Sequence, residues 1–128
     1  MTPPPANIII VDDDPLMRSM LMKLLAIEGF GVVGAEDGLE ALHVLRAVRH
    51  RAPATPSLVL LDLKMPRLSG DEFRRAQLAD PVLASVPVVV MSGASDLEQR
   101  ANVLGAVASI GKPIERDTLL AIVRQHCA

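Results

Sequence analysis

The chain has 128 residues; 50% are hydrophobic but only 2% aromatic, with no Trp or Tyr, so its core must be aliphatic. A formal charge of −2 and the missing aromatic platforms argue against a nucleic-acid partner. No apolar run reaches membrane-spanning length, no signal segment opens the chain, and the single Cys127 cannot form an internal disulfide. The expectation is one cytoplasmic domain with no membrane partner.

Met1 to Ala6, with three consecutive prolines, reads as an extended tail, and residues 7–128 read as the domain. Ile8 to Val11 is a β-branched run that ends in Asp12, Asp13 and Asp14. Asp14 before Pro15 marks a helix start: a capping oxygen, then proline at the first helical position. Leu16, Met17, Met20, Leu21, Leu24 and Ile27 recur at helical spacing, and Gly29 stops the helix. Gly31 to Ala35 is a short strand. A helix from about Gly38 to His50 follows, capped by Asp37, with Leu42 and Leu45 inward.

Arg51 to Ser57, with Pro53 and Pro56, is a loop. Leu58 to Leu61 is an apolar run of the kind found in strands buried on both faces, and it ends in Asp62 before Pro66 forbids continuation. Ser69 and Glu72 have capping-box spacing, which predicts a helix from near Gly70 to about Leu78. Val86 to Met91 is the next strand, and Ser95 with Glu98 predicts a second capping box opening a helix that ends at Gly105. Val107 to Ile110 is the last strand, stopped by Gly111, Lys112 and Pro113, and Glu115 to about Gln125 is the last helix.

Five strands alternating with five helices call for an α/β domain, a parallel sheet covered on both faces. In a doubly wound, flavodoxin-like sheet of order 2-1-3-4-5, strands 1, 3, 4 and 5 are neighbours roughly 4.8 Å apart. Asp12 and Asp13, then Asp62, Ser92 and Lys112 would then line one carboxyl edge. Carboxylates at ~4 Å with an effective dielectric of ~20 repel by up to about 4 kcal/mol per pair. A hard divalent cation held by oxygen ligands relieves that repulsion, with Mg²⁺ the natural choice. Asp62 beside such a cation is a carboxylate nucleophile toward a phosphoryl group. Lys112 would neutralise phosphoryl oxygens, Ser92 would hydrogen-bond one of them, and Gly93 would keep the approach open.

Ile8 to Asp14, Leu60 to Pro66 with Gly70, Met91 to Ala94, and Lys112-Pro113 resemble the receiver domain of two-component response regulators, from about Asn7 to the C-terminus. The resemblance implies that Asp62 accepts the phosphoryl group and that Asp12 and Asp13 organise Mg²⁺, with the backbone carbonyl of Lys64 as a further ligand. It also implies Ser92 as the switch hydroxyl, Lys112 as the phosphoryl-sensing cation and a cis Lys112-Pro113 bond. The donor would be a phosphohistidine on a sensor histidine kinase or histidine phosphotransfer protein. A downstream protein would dock on the face of the fourth helix, last strand and last helix, and the domain would be a monomer or weak dimer. Two departures stand out. Ser109 and Ile114 occupy positions where the family usually has an aromatic and often a Phe.

Other readings compete. The domain could relay phosphate, or be the receiver of a hybrid kinase. Asp12-Asp13-Asp14 also fits a haloacid dehalogenase-type phosphatase, but that leaves Asp62 unexplained and lacks a cap domain. A pure interaction module with a decayed site is opposed by the complete set of residues. Gly29 to Gly34 matches GxGxxG, but it leads out of a helix into a strand, the reverse of a dinucleotide site. Arg46, Arg49, His50 and Arg51 read as a solvated helix end, where cations are favoured.

Overall fold

The apolar runs pair as a single parallel sheet in the computed structural model, which describes residues 7–63, 69–93 and 95–127. Along those residues the elements are β1 (Asn7–Val11), α1 (Pro15–Ile27), β2 (Gly31–Ala35), α2 (Gly38–Arg51), β3 (Ser57–Asp62), α3 (Gly70–Leu78), β4 (Val88–Ser92), α4 (Leu97–Leu104), β5 (Ala108–Gly111) and α5 (Arg116–Cys127). The strand order is β2-β1-β3-β4-β5, as expected from the alternation. The tail 1–6 lies outside the described residues.

Alternate side chains of each strand enter opposite cores, as the pleat requires. Ile9, Val11, Val59, Leu61, Val88 and Val90 pack with Leu42 and Leu45 of α2, Phe73 of α3 and Leu104 of α4. Ile8, Ile10, Leu58, Leu60, Val89 and Met91 pack with Leu21 and Leu25 of α1 and Leu119 and Val123 of α5. Strands covered on both faces can be apolar throughout, and β3 is buried at every position, Asp62 included. Phe73, fully buried, anchors α3; its truncation to Ala costs about 3–5 kcal/mol.

The helix starts follow the caps. Asp14 Oδ1 accepts from the backbone N–H of Leu16 at 3.0 Å, and Asp37 Oδ1 from that of Glu40 at 2.9 Å. Ser69 and Glu72 form the reciprocal capping box. α1 ends with Gly29 at φ 95°, while the N–H of Phe30 donates to the Leu25 carbonyl, a closure that needs a left-handed residue.

Four expectations are corrected. The second capping box does not form: α4 starts at Leu97 behind Asp96, which makes no side-chain cap bond. That start moves Glu98 to the second helical position, from which it cannot reach back to the cap. On α1, Leu16, Met20 and Ile27 are exposed, while Leu21 and Leu25 are buried. Apolar residues cover more of that helix than the sheet can bury. β4 begins at Val88 because Val86 is held in the preceding turn, its N–H donating to Leu83, and Pro87 has no N–H to give. β5 is Ala108–Gly111, one residue later than expected, with Val107 already donating to Val88 at the strand's approach.

No helix among the described residues is long and apolar enough to cross a membrane. The GxGxxG match does span the exit of α1 and β2, and Arg49, His50 and Arg51 do form the last turn of α2.

Candidate functional site

The register fixes which strand ends meet. Val11 lies opposite Ala35 and Leu61, Asp62 opposite Met91, and Ser92 opposite Gly111. The residues just past each strand's last apolar position therefore fall on one edge, at the point where the strand order reverses.

Asp12 is fully buried there. Its N–H donates to the Ala35 carbonyl at 3.1 Å, and its Oδ1 accepts from the N–H of Asp14 at 2.9 Å. Asp13 is exposed and Asp62 is 4% exposed. One carboxylate oxygen from each of the three lies within 4.8 Å of the others. Lys112 Nζ stands 3.4 Å from Asp12 Oδ2 and 3.5 Å from Asp62 Oδ2. Two of the three carboxylates, both buried, thus share one ammonium, and with the exposed Asp13 beside them the cluster carries more negative charge than Lys112 balances. A set of hard, anionic oxygen donors at this spacing fits Mg²⁺.

Ser92, 3% exposed, ends β4, and its carbonyl accepts the N–H of Lys112 at 3.0 Å, which ties the lysine loop to the edge. The Lys112-Pro113 peptide is cis, as expected. Lys64, expected to offer a carbonyl, lies outside the described residues. A Cβ on Gly93 would meet only Lys112 Cβ at 3.9 Å, an ordinary contact, so packing alone does not demand a glycine there. Ser109 is half-buried on β5, and Ile114 packs partly against the α1–α5 core.

Gly70, one of the motif residues above, and Arg18, which the sequence did not single out, also bear on the site. A Cβ on Gly70 would lie 3.0 Å from Leu63 Cδ2 and 3.3 Å from the Asp62 carbonyl, so α3 closes directly onto the end of β3. Arg18 reaches from α1 to the Asp12 carbonyl at 2.7 Å. A glycine in a first helical turn is a visible signal for the former. For the latter, an arginine off the apolar stripe gives none.

Residues 8–124 match the family model described as the response regulator receiver domain. Protein Rrf1 of Nitratidesulfovibrio vulgaris is 32% identical over 97% of this chain and 84% of its own length. DNA-binding response regulator MtrA of Mycolicibacterium smegmatis is 36% identical over 92% of this chain. The chain spans about half of MtrA, 55% of the transcriptional regulatory protein PdtaR of Mycobacterium tuberculosis, and 7% of a Dictyostelium discoideum hybrid histidine kinase. Among solved structures, the Vibrio cholerae chemotaxis protein CheY4 superposes with a TM-score of 0.79 at 27% identity, covering 94% of this chain and 98% of that one.

Proposed function

The chain belongs to the response regulator receiver domain family of two-component signalling, and we propose that its switch is a phosphoryl group accepted by Asp62. The observation that carries this reading is the convergence of Asp12, Asp13 and Asp62 within 4.8 Å, with Lys112 between two of them. The carboxylates of Asp12, Asp13 and Asp62, with the Lys64 carbonyl, would hold Mg²⁺, which supplies the positive charge that lets an anionic phosphoryl group approach.

Asp62 Oδ attacks phosphorus while the P–N bond of a donor phosphohistidine breaks, and the leaving imidazole keeps the electron pair and takes up a proton. The buried Asp62 is poorly solvated, so its lone pair meets phosphorus without a full water shell to strip. Lys112 balances the charge that grows on the phosphoryl oxygens, and the Ser92 hydroxyl donates to one of them. The donor is a sensor histidine kinase or a phosphotransfer protein. The product is a changed docking face on α4, β5 and α5 for a downstream protein. With Ser109 in place of an aromatic, that change does not run through a swinging ring. Residues 7–128 act as one receiver unit, a monomer or weak dimer, with no enzymatic activity beyond making and losing its own phosphoryl group.

Intact mass after incubation with acetyl phosphate tests this. One phosphoryl adduct is expected on the wild type with Mg²⁺, and none without Mg²⁺ or on Asp62→Asn. An adduct that survives Asp62→Asn at wild-type yield would refute the assignment.

A further inference from the structure

We propose that Arg18 is a positioning residue for the divalent-cation site, and that Gly34 is the gap through which it reaches that site. The proposal rests on the reading of Asp12 and Asp13 as cation ligands.

Arg18 belongs to the first turns of α1, where its N–H donates to the Asp14 carbonyl at 2.9 Å. Its guanidinium turns back along the chain and donates to the carbonyl of Asp12 at 2.7 Å. That carbonyl lies in the rigid peptide plane joining Asp12 to Asp13. A donor on it sets ψ of Asp12 and φ of Asp13, and so the directions in which both carboxylates leave the backbone. The N–H on the other side of Asp12 is held by Ala35 of β2 at 3.1 Å. The residue carrying the buried carboxylate is thus clamped at both its amide and its carbonyl.

Gly34 accounts for the route. It lies on β2 and pairs with Ile10 of β1. A Cβ there would sit 2.9 Å from Met22 Sδ, 3.0 Å from Arg18 Cδ and 3.3 Å from Arg18 Cγ. The arginine stem passes over the strand where a side chain would otherwise stand. Glycine is unfavourable inside a strand and often marks a close approach. Here two groups approach, the Met22 thioether and the Arg18 stem, and room for the stem gives the last glycine of the GxGxxG match a use unconnected with nucleotides.

Charge alone predicts the opposite of positioning. A guanidinium near a dication repels it, so if charge were its only effect, removing Arg18 would tighten Mg²⁺ binding. If Arg18 sets the carboxylates, removing it weakens binding, by about ten-fold on the scale seen for groups that orient metal ligands.

The test is Mg²⁺ titration by calorimetry, at one ionic strength and a temperature where thermal melts show every variant folded. The proteins are wild type, Arg18→Met, Arg18→Lys, Gly34→Ala and the Arg18→Met/Gly34→Ala pair. Arg18→Met, which keeps the stem and loses the donors, is expected to weaken Mg²⁺ binding about ten-fold, with partial recovery in Arg18→Lys. Gly34→Ala keeps the charge yet displaces the stem, so it should weaken binding in the same direction. The double variant should be no weaker than Arg18→Met, because both changes remove the same contact. Affinity unchanged or tightened in Arg18→Met, or additive losses in the double variant, would overturn the proposal. If Arg18→Met does not fold, wild-type affinity in Gly34→Ala overturns it. No Mg²⁺ binding by the wild type would overturn the metal reading itself and this proposal with it.

Discussion

Replacing Arg74 with Met should cost far more than replacing its neighbour Arg75. Arg74 is 9% exposed on α3, and each of its three guanidinium nitrogens donates a hydrogen bond. Nε donates to the Leu104 carbonyl at 2.8 Å, Nη2 to that of Gly105 at 3.2 Å, and Nη1 to Gln77 Oε1 at 2.8 Å. Leu104 and Gly105 close α4, where carbonyls lack helical partners and a cation is favoured. Gln77 in turn donates to the carbonyls of Leu83 and Val86, which holds the approach to β4. Arg74→Met keeps the stem and strands three acceptors, of which the two at 2.8 Å are buried. At about 1–3 kcal/mol for each of the two buried acceptors, the gross loss is about 2–6 kcal/mol. Relief from burying a charge offsets part of this; that cost is visible in the guanidinium pKa, which burial lowers. The net expectation is about 2–4 kcal/mol, or a Tm lower by roughly 6–15 °C. Urea unfolding followed by circular dichroism measures it, with the m-value unchanged. Arg75→Met, on the exposed side of α3, should stay within about 0.5 kcal/mol of wild type. An Arg74→Met midpoint equal to that of Arg75→Met would refute the reasoning.

Mg²⁺ at 100 times its Kd should stabilise the wild type by about 2.7 kcal/mol, and Asp13→Asn should lose most of that gain while melting higher than wild type in chelator. A Tm for Asp13→Asn below wild type in chelator would contradict the picture of a repulsive cluster. Gly29→Ala forces a φ of 95° on a residue with a Cβ and should cost about 1–2 kcal/mol by urea unfolding, with no change in Mg²⁺ affinity. Burial raises the Cys127 thiol from 9.0 to about 11, so iodoacetamide should label it at pH 8 about 100-fold more slowly than in the unfolded chain. The rate should climb ten-fold per pH unit toward pH 11. The folded thiol holds its proton more tightly than the unfolded one, so this contribution to stability is present below pH 9 and is lost as pH rises toward 11. Labelling at the unfolded rate at pH 8 would show that Cys127 is not buried.

Much of this fold is legible in the sequence because its signals are local and mutually consistent. Ile8 to Val11 and Leu58 to Leu61 are apolar throughout, short and bounded by turn signals, which fits strands covered on both faces. Asp14, Asp37 and Ser69 announce helix starts through side-chain oxygens, and the structure forms all three caps. The acid edge is legible because Asp12, Asp13, Asp62 and Lys112 each follow an apolar run, and the register of a parallel sheet brings such ends together. What escapes reading depends on distant partners. Ser95 and Glu98 have the spacing of a box, but a start displaced by one residue dissolves it. The face of α1 is ambiguous because both its sides are apolar, and only the position of the sheet selects Leu21 and Leu25 over Leu16 and Ile27. Arg74 and Gln77 look like solvent residues until α4 and the approach to β4 close over them. Arg18 gives no sign of its task until Gly34 is seen beneath its stem.

The central claim is that Asp62, rather than either aspartate of β1's end, takes the phosphoryl group. Borohydride reduction of the phosphorylated protein converts an acyl phosphate to an alcohol, and tandem mass spectrometry of the digest locates the change. Homoserine at position 62, dependent on both phosphodonor and Mg²⁺, is the predicted result. Homoserine at position 12 or 13 would contradict the account and favour phosphatase-type chemistry on the first strand.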